Sequence, residues 1–183
     1  TRIINGHGKK NDSISGIDEY QELVVATNTM PKAEWRKART LCWMVNLIYF
    51  NKLLQIPIIT LHEVYGIPYG RIFESFMEHS RTSEELSVFS EIYRFFQKTA
   101  EDMQNGTQEE FIHSPEWLDI WWPVEEYVFI KLCVENKLEA FYQEAEVVIM
   151  QFVVSDKPIG ILLDSLKLNK SLIKLPFQTE DLQ

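Results

Sequence analysis

Residues 31–54 read PKAEWRKARTLCWMVNLIYFNKLL, and this stretch decides the architecture. Pro31 can open a helix at its first position, where a missing N–H costs nothing. Lys32, Glu34, Arg36, Lys37 and Arg39 make the first half wet, with Trp35 and Ala38 on a narrower apolar stripe. From Leu41 to Phe50 the only polar groups are the Asn46 amide and the Tyr49 phenol. A helix that is apolar on every side has to be wrapped by other elements or by lipid, and this run is too short to span a bilayer. The expected body is therefore all-α, an orthogonal bundle of roughly seven helices around a central helix near 31–54.

Composition agrees with that body. Seven glycines and seven prolines in 183 residues are few, which suits long helices better than many strands joined by tight turns. Five tryptophans and eleven phenylalanines make the core bulky. The length suits one domain, expected over 20–177, with a flexible linker or tail at 1–19 and a truncated tail at 178–183. The chain begins with Thr1 and not methionine, as an excised piece of a longer polypeptide would. A net charge of −9 argues against nucleic acid, which needs a concentrated basic face. The one basic stripe, Lys32, Arg36, Lys37 and Arg39, reads as a solvated helix side. Cys42 and Cys133 lie among apolar residues, so they are expected as small core side chains in a cytoplasmic, reducing setting. Asn105-Gly106-Thr107 and Asn169-Lys170-Ser171 match the glycosylation pattern without any secretory signal beside them.

Upstream of the central helix, Glu22–Thr27 (ELVVAT) is the best strand candidate, and a lone strand needs a partner edge. Downstream, Pro57 starts a second helix that should stop at Gly66. Pro68 starts a third over Tyr69–His79. Thr82 or Ser83 is expected to cap a fourth, with Glu84 and Glu85 in its first turn and Asn105-Gly106 at its end. Ser114-Pro115-Glu116-Trp117 reads as another cap, Trp121-Trp122-Pro123 as a break, and 124–154 as helix divided near Asn136. Val147–Val154 is apolar enough to be central. Lys157-Pro158-Ile159-Gly160 reads as a turn before a final helix over Ile161–Lys174.

The chemistry-bearing residues are sparse. His62-Glu63 lacks the second histidine a zinc helix needs, because Gly66 stands there. Glu110-Phe111-Ile112-His113 has the Glu-x-x-His spacing of carboxylate-bridged di-iron bundles, which makes Glu110 and His113 the metal candidates. Such sites need a second copy, and Glu74 is followed at the required place by Met77. Neither cysteine has a histidine beside it to lower its pKa. Trp35, Asn46, Trp121 and Trp122 are the candidate ligand or interface contacts, aromatic faces and an isolated amide being the groups that most often meet a partner.

The run Glu22–Trp35 (ELVVATNTMPKAEW), continuing into ARTLCWMVN at 38–46, resembles a segment of large radical S-adenosylmethionine proteins with an amino-terminal cobalamin-binding domain, the Fe–S oxidoreductases. Gly66-Ile67-Pro68-Tyr69, the Trp117–Glu126 stretch, Phe141-Tyr142-Gln143-Glu144 and Leu168-Asn169-Lys170 running to Pro176 extend the likeness across about 20–176. In that family such a strand and tryptophan-bearing helix follow the catalytic barrel. The resemblance implies a carboxy-terminal accessory helical domain, packing on the radical S-adenosylmethionine barrel of the same polypeptide and shaping the substrate site. The parent would carry a [4Fe–4S] cluster, S-adenosylmethionine and cobalamin. This stretch holds none of their motifs: Cys42 and Cys133 are far apart, so no C-x-x-x-C-x-x-C exists, and no D-x-H-x-x-G occurs. No catalytic residue is carried over, and the alternatives are a free-standing helical interaction module or a metal-dependent helical enzyme using Glu110 and His113.

Overall fold

A computed structural model describes residues 1, 20–82, 87–153 and 158–175. The expected tails at 1–19 (beyond Thr1) and 178–183, the cap residues Ser83, Glu84 and Glu85, and the start of the turn at Lys157 lie outside them. The chain is an all-α multi-helix bundle with one small two-stranded sheet.

Helix α1 runs over Lys32–Val45, with Pro31 one place earlier than expected, at the N-cap, where its carbonyl accepts from Trp35 N (3.0 Å). The helix then widens into a π-helical turn, Asn46–Phe50, closed by Asn51 N on Asn46 O (2.7 Å). It stops there and not at Leu54. Lys52 takes a left-handed backbone (φ 66°), and α2 (Gln55–Glu63) leaves at 92° to the first helix. That geometry strains a residue with a Cβ, so something must hold it. Asn169 does: buried on the last helix, its Nδ2 donates to the carbonyls of Lys52 (2.9 Å) and Leu53 (2.7 Å), and its Oδ1 accepts from Ile56 N (2.9 Å). The Tyr142 hydroxyl donates to the same Leu53 carbonyl (2.7 Å). No helix among the described residues is long and apolar enough to cross a membrane by itself.

Gly66 ends the α2 segment at φ 72°, with its own N–H returning to His62 O (3.0 Å), the αL cap that glycine accommodates without strain. α3 (Tyr69–Thr82) and α4 (Val88–Gln104) follow. The cap of α4 is Ser87, not Thr82, which closes α3 with its hydroxyl on Glu78 O (2.8 Å). Ser87 is the better start because a carboxylate is waiting for it. Glu144, on a later helix, accepts from Ser87 Oγ (2.7 Å), Val88 N (2.7 Å) and Phe89 N (3.2 Å), filling the orphan donors of the helix start from a distant element.

The strand and the Trp117 region also differ from the sequence expectation. Glu22–Thr27 forms no strand: it is an extended segment lying on the end of α4, where Gln104 Nε2 donates to Val25 O (3.1 Å). Leu23 packs inward while Val24 is 71% exposed, so the alternation of a strand is present without a ladder. The sheet is instead a hairpin, β1 (Phe111–Ser114) against β2 (Ile120–Pro123), antiparallel with Ile112 opposite Trp122 and His113 opposite Trp121. Ser114-Pro115-Glu116-Trp117 is thus the entry to a turn and caps no helix. Aromatic and β-branched side chains favour the pleat over so short a helix, and Leu118 (φ 65°) and Asp119 (φ 53°) turn the corner.

Pro123 then stands at the N-cap of α5 (Val124–Val134); Asn136 (φ 56°) separates it from α6 (Leu138–Met150), at the expected division. α7 (Ile159–Ser171) packs along α2, and α1 and α3 both pack on α4. Phe89 sits at the centre, stacked on Phe141 (4.7 Å) and tilted against Phe76 (5.5 Å). Fully burying each such ring contributes about 2–3 kcal/mol. The central helix is wrapped on one side only: Trp43, Met44, Leu47 and Ile48 are buried, but Leu41, Cys42 and Phe50 face outward. In α6, likewise, Val148 and Ile149 are central and Val147 is exposed.

Candidate functional site

The backbone break after the π-helical turn, the hairpin and α5 enclose a cavity of about 520 Å³. Each element supplies three residues. The end of the turn brings Phe50, Asn51 and Lys52; the hairpin corner brings Trp117 and Leu118, with Trp122 from β2; α5 brings Glu126, Phe129 and Ile130. A concave, mainly apolar space of this size is what a drug-sized molecule or a large side chain occupies.

The walls are held in place. Trp122 Nε1 donates to Trp117 O (3.2 Å), which ties the strand to its own turn. The Trp117 ring leans on Tyr127 (4.9 Å), which in turn stacks on Phe95 of α4 (6.0 Å). Two of the lining residues, Lys52 and Leu118, are held at positive φ, where strain of about 1–3 kcal/mol each persists only if the surroundings fix it. At Lys52 that fixing comes from Asn169.

Polar groups are few. Asn51 Nδ2 is buried and, among the described residues, has no acceptor. Lys52 and Glu126 are exposed at the rim and carry opposite charge. Desolvation, helped by the neighbouring Glu125 charge, raises the Glu126 pKa above the ordinary carboxylate range. The sign follows directly. The folded chain holds this proton more tightly than the unfolded one, so Glu126 favours folding when protonated, and that advantage is lost as pH rises through its raised pKa. Glu126→Gln is therefore expected to raise Tm at pH 7 and to leave it unchanged below about pH 4, where both forms are neutral; paired melting curves across that range check it.

Of the four contacts marked in the sequence, Trp122 alone lines this cavity. Trp35 packs half-buried against the core from α1. Asn46 Nδ2 donates to Glu125 Oε1 (3.0 Å) and so braces the π-helical turn against α5. Trp121 stacks on His113 (5.1 Å) across the hairpin. The other eight lining residues were not marked in the sequence, and of these only Trp117 carried a signal there, as one of five tryptophans.

The metal candidates are each engaged elsewhere. Glu110 Oε1 takes Arg39 Nη2 (2.7 Å), while His113 Nε2 meets Asp119 (2.9 Å). Among the described residues no three His, Cys, Asp or Glu side chains come together as a metal site requires. The basic stripe is also answered by acids, Arg36 by Glu101 (3.2 Å), Lys37 by Glu34 (2.8 Å) and Arg39 by Glu110.

The cysteines are free thiols, and Cys42 is exposed rather than in the core. Cys133 is half-buried, its pKa pushed up to about 11 by desolvation. With Ellman's reagent at pH 8, Cys42 should react at once and Cys133 about a hundredfold more slowly, because only the thiolate attacks. Equal rates would contradict the packing described for α5.

Compared with family models, curated proteins and solved structures, the chain matches none.

Proposed function

We propose that this chain is the carboxy-terminal accessory helical domain of a cobalamin-type radical S-adenosylmethionine Fe–S enzyme, working in the cytoplasm. It packs on the catalytic barrel of its own polypeptide and shapes the substrate site, while the bond-breaking chemistry belongs to the barrel. The resemblance from Glu22 to Pro176 supports this, and the observation that carries it is the extended segment before α1. Residues 22–25 alternate outward and inward, with Glu22 and Val24 exposed, and among the described residues no strand lies beside them, only Gln21 exchanging backbone hydrogen bonds with Thr1 (2.7 and 2.8 Å). A sheet or barrel edge is the usual partner for such a segment. Tyr20 (60% exposed) and Met30 add apolar surface along the same arm.

The polar residues that hold this fold together also lie in the resembling stretches. Tyr142 and Glu144 fall in Phe141–Glu144, and Asn169 in Leu168–Lys170, so the likeness includes side chains with structural work to do. The [4Fe–4S] cluster, S-adenosylmethionine and cobalamin would be held upstream. Cys42, exposed on α1, and Cys133, half-buried on α5, do not fit a cluster's three-thiolate set.

The test is reassembly. The barrel portion and this chain, expressed separately, are mixed and examined by size exclusion; co-elution with restored turnover is the expected result. Val24→Asp should abolish co-elution while leaving the circular dichroism of the isolated chain intact. Independent migration of the two wild-type pieces, with a barrel fully active alone, would sink the reading.

A further inference from the structure

We infer that the cavity between the π-helical turn, the hairpin and α5 binds a free α-amino acid with a bulky aromatic side chain, the ring inside and the zwitterionic end at the rim. This goes beyond the docking reading above and does not depend on it.

The ring follows from the walls. Phe50, Trp117, Leu118, Trp122, Phe129 and Ile130 give a space of about 520 Å³ an almost wholly apolar lining, and aromatic surfaces fit one another by stacking and edge contacts. Phe50 and Leu118 line it while staying 63% and 71% exposed, so the apolar surface continues out to solvent. The single indole donor on this wall that another ring could compete for, Trp122 Nε1, is already given to Trp117 O.

The zwitterion follows from the charges. Lys52 and Glu126 are the charged lining residues, and both are exposed. Among the described residues neither side chain has an ion-pair or hydrogen-bond partner, and they do not reach each other. Two opposite charges at one opening, unpaired and apart, leave room for a group that carries both, its carboxylate on Lys52 and its ammonium on Glu126. A simple anion or cation would satisfy one and be repelled by the other.

The backbone marks the same place. Lys52 and Leu118 stand left-handed, at φ 66° and 65°, where glycine or asparagine would sit with less strain, and both line this cavity. Strain held by surrounding contacts collects at ligand sites. Here Asn169 fixes the Lys52 backbone and the Trp122–Trp117 bond fixes the hairpin corner, so the walls are set beforehand and little ordering is lost on binding.

The experiment titrates the purified 183-residue chain with four probes sharing one phenyl body, following tryptophan fluorescence and confirming by calorimetry: phenylalanine, 3-phenylpropionate, 2-phenylethylammonium and ethylbenzene. Phenylalanine should bind about threefold more tightly than each probe that lacks one charge or both, the gain that a charge pair at an open rim supplies. Lys52→Asn should cancel its advantage over the ammonium probe and keep its advantage over the carboxylate probe; Glu126→Gln should do the reverse. Asparagine tolerates the left-handed backbone at position 52, so that variant should keep the fold, and a melting curve checks it. Leu118→Asn, tolerated on the same ground, should weaken all four probes. The inference is overturned if the ammonium probe or the hydrocarbon binds as tightly as phenylalanine, if neither charge variant changes the ranking, or if no probe binds at millimolar concentration.

Discussion

Replacing Asn169 by alanine should lower the folding free energy by about 3 kcal/mol, and by no less than about 2, because it strands several buried backbone groups at once. Its Oδ1 accepts from Ile56 N (2.9 Å), and its Nδ2 is shared among Lys52 O (2.9 Å), Leu53 O (2.7 Å) and the Tyr142 hydroxyl (3.2 Å). These groups lie where α1 and its π-helical extension end and α2 begins, so no helix ladder can take them over. Asn169→Asp should be at least as harmful, since a carboxylate would face two carbonyl oxygens. Tyr142→Phe should cost about 1 kcal/mol alone, and much of that should vanish in the Asn169→Ala background, because the two share the Leu53 carbonyl. Urea unfolding of the four variants measures this; an Asn169→Ala cost below 1 kcal/mol would show that the break at Lys52 is held by something else.

The second large effect belongs to Glu144. Removing its carboxylate in Glu144→Ala leaves Val88 N and Phe89 N unsatisfied at the start of α4, both on buried residues, together with the Ser87 hydroxyl. Charge-assisted bonds at a helix start are stronger than neutral ones, so a loss of about 2–4 kcal/mol is expected. Glu144→Gln loses the charge and keeps only one of the two acceptor oxygens, Oε1 holding Val88 N and Oε2 holding Ser87 Oγ and Phe89 N, so it should cost more than half as much as Glu144→Ala. A Glu144→Gln cost near zero would mean that neither the charge nor the second acceptor oxygen contributes. The consequence should be local as well as global. α4 carries Phe89 and Phe96 into the core, so amide exchange in its first turn should rise in Glu144→Ala before the rest of the helix is affected.

Much of this molecule can be read from residue order, for identifiable reasons. The three-and-four spacing from Phe89 to Met103 gives α4, Gly66 and Asn136 mark stops through their left-handed backbones, and the absence of many turn residues gives the helical class. What could not be read depends on contacts between distant residues. Asn169 stands in a glycosylation-like triplet and looks like any polar helix residue; only the fold reveals that it is buried and fully engaged, which removes it as a glycan acceptor. Ser87 wins the cap of α4 because of Glu144, a residue 57 positions away. The hairpin was hidden because four-residue strands rich in tryptophan resemble a broken helix. The strand expected at Glu22–Thr27 had the right alternation, but pairing is decided by a neighbour and not by the segment.

The candidate site was legible only in part. Trp122 was marked for its ring, but the cavity depends on where Lys52 turns the backbone, and that turn is set by Asn169 from the last helix. Trp35, Asn46 and Trp121 carry the same residue types and serve packing or bracing instead.

We propose that this helical body is one part of a larger radical enzyme. The most direct measurement is to read the parent open reading frame upstream of the Thr1 codon and to assay the encoded protein for iron after anaerobic reconstitution. A C-x-x-x-C-x-x-C motif in a barrel-type sequence, with about four irons per chain, is the expected result. A reading frame that starts near Thr1, or an upstream region without clustered cysteines and without bound iron, would contradict it.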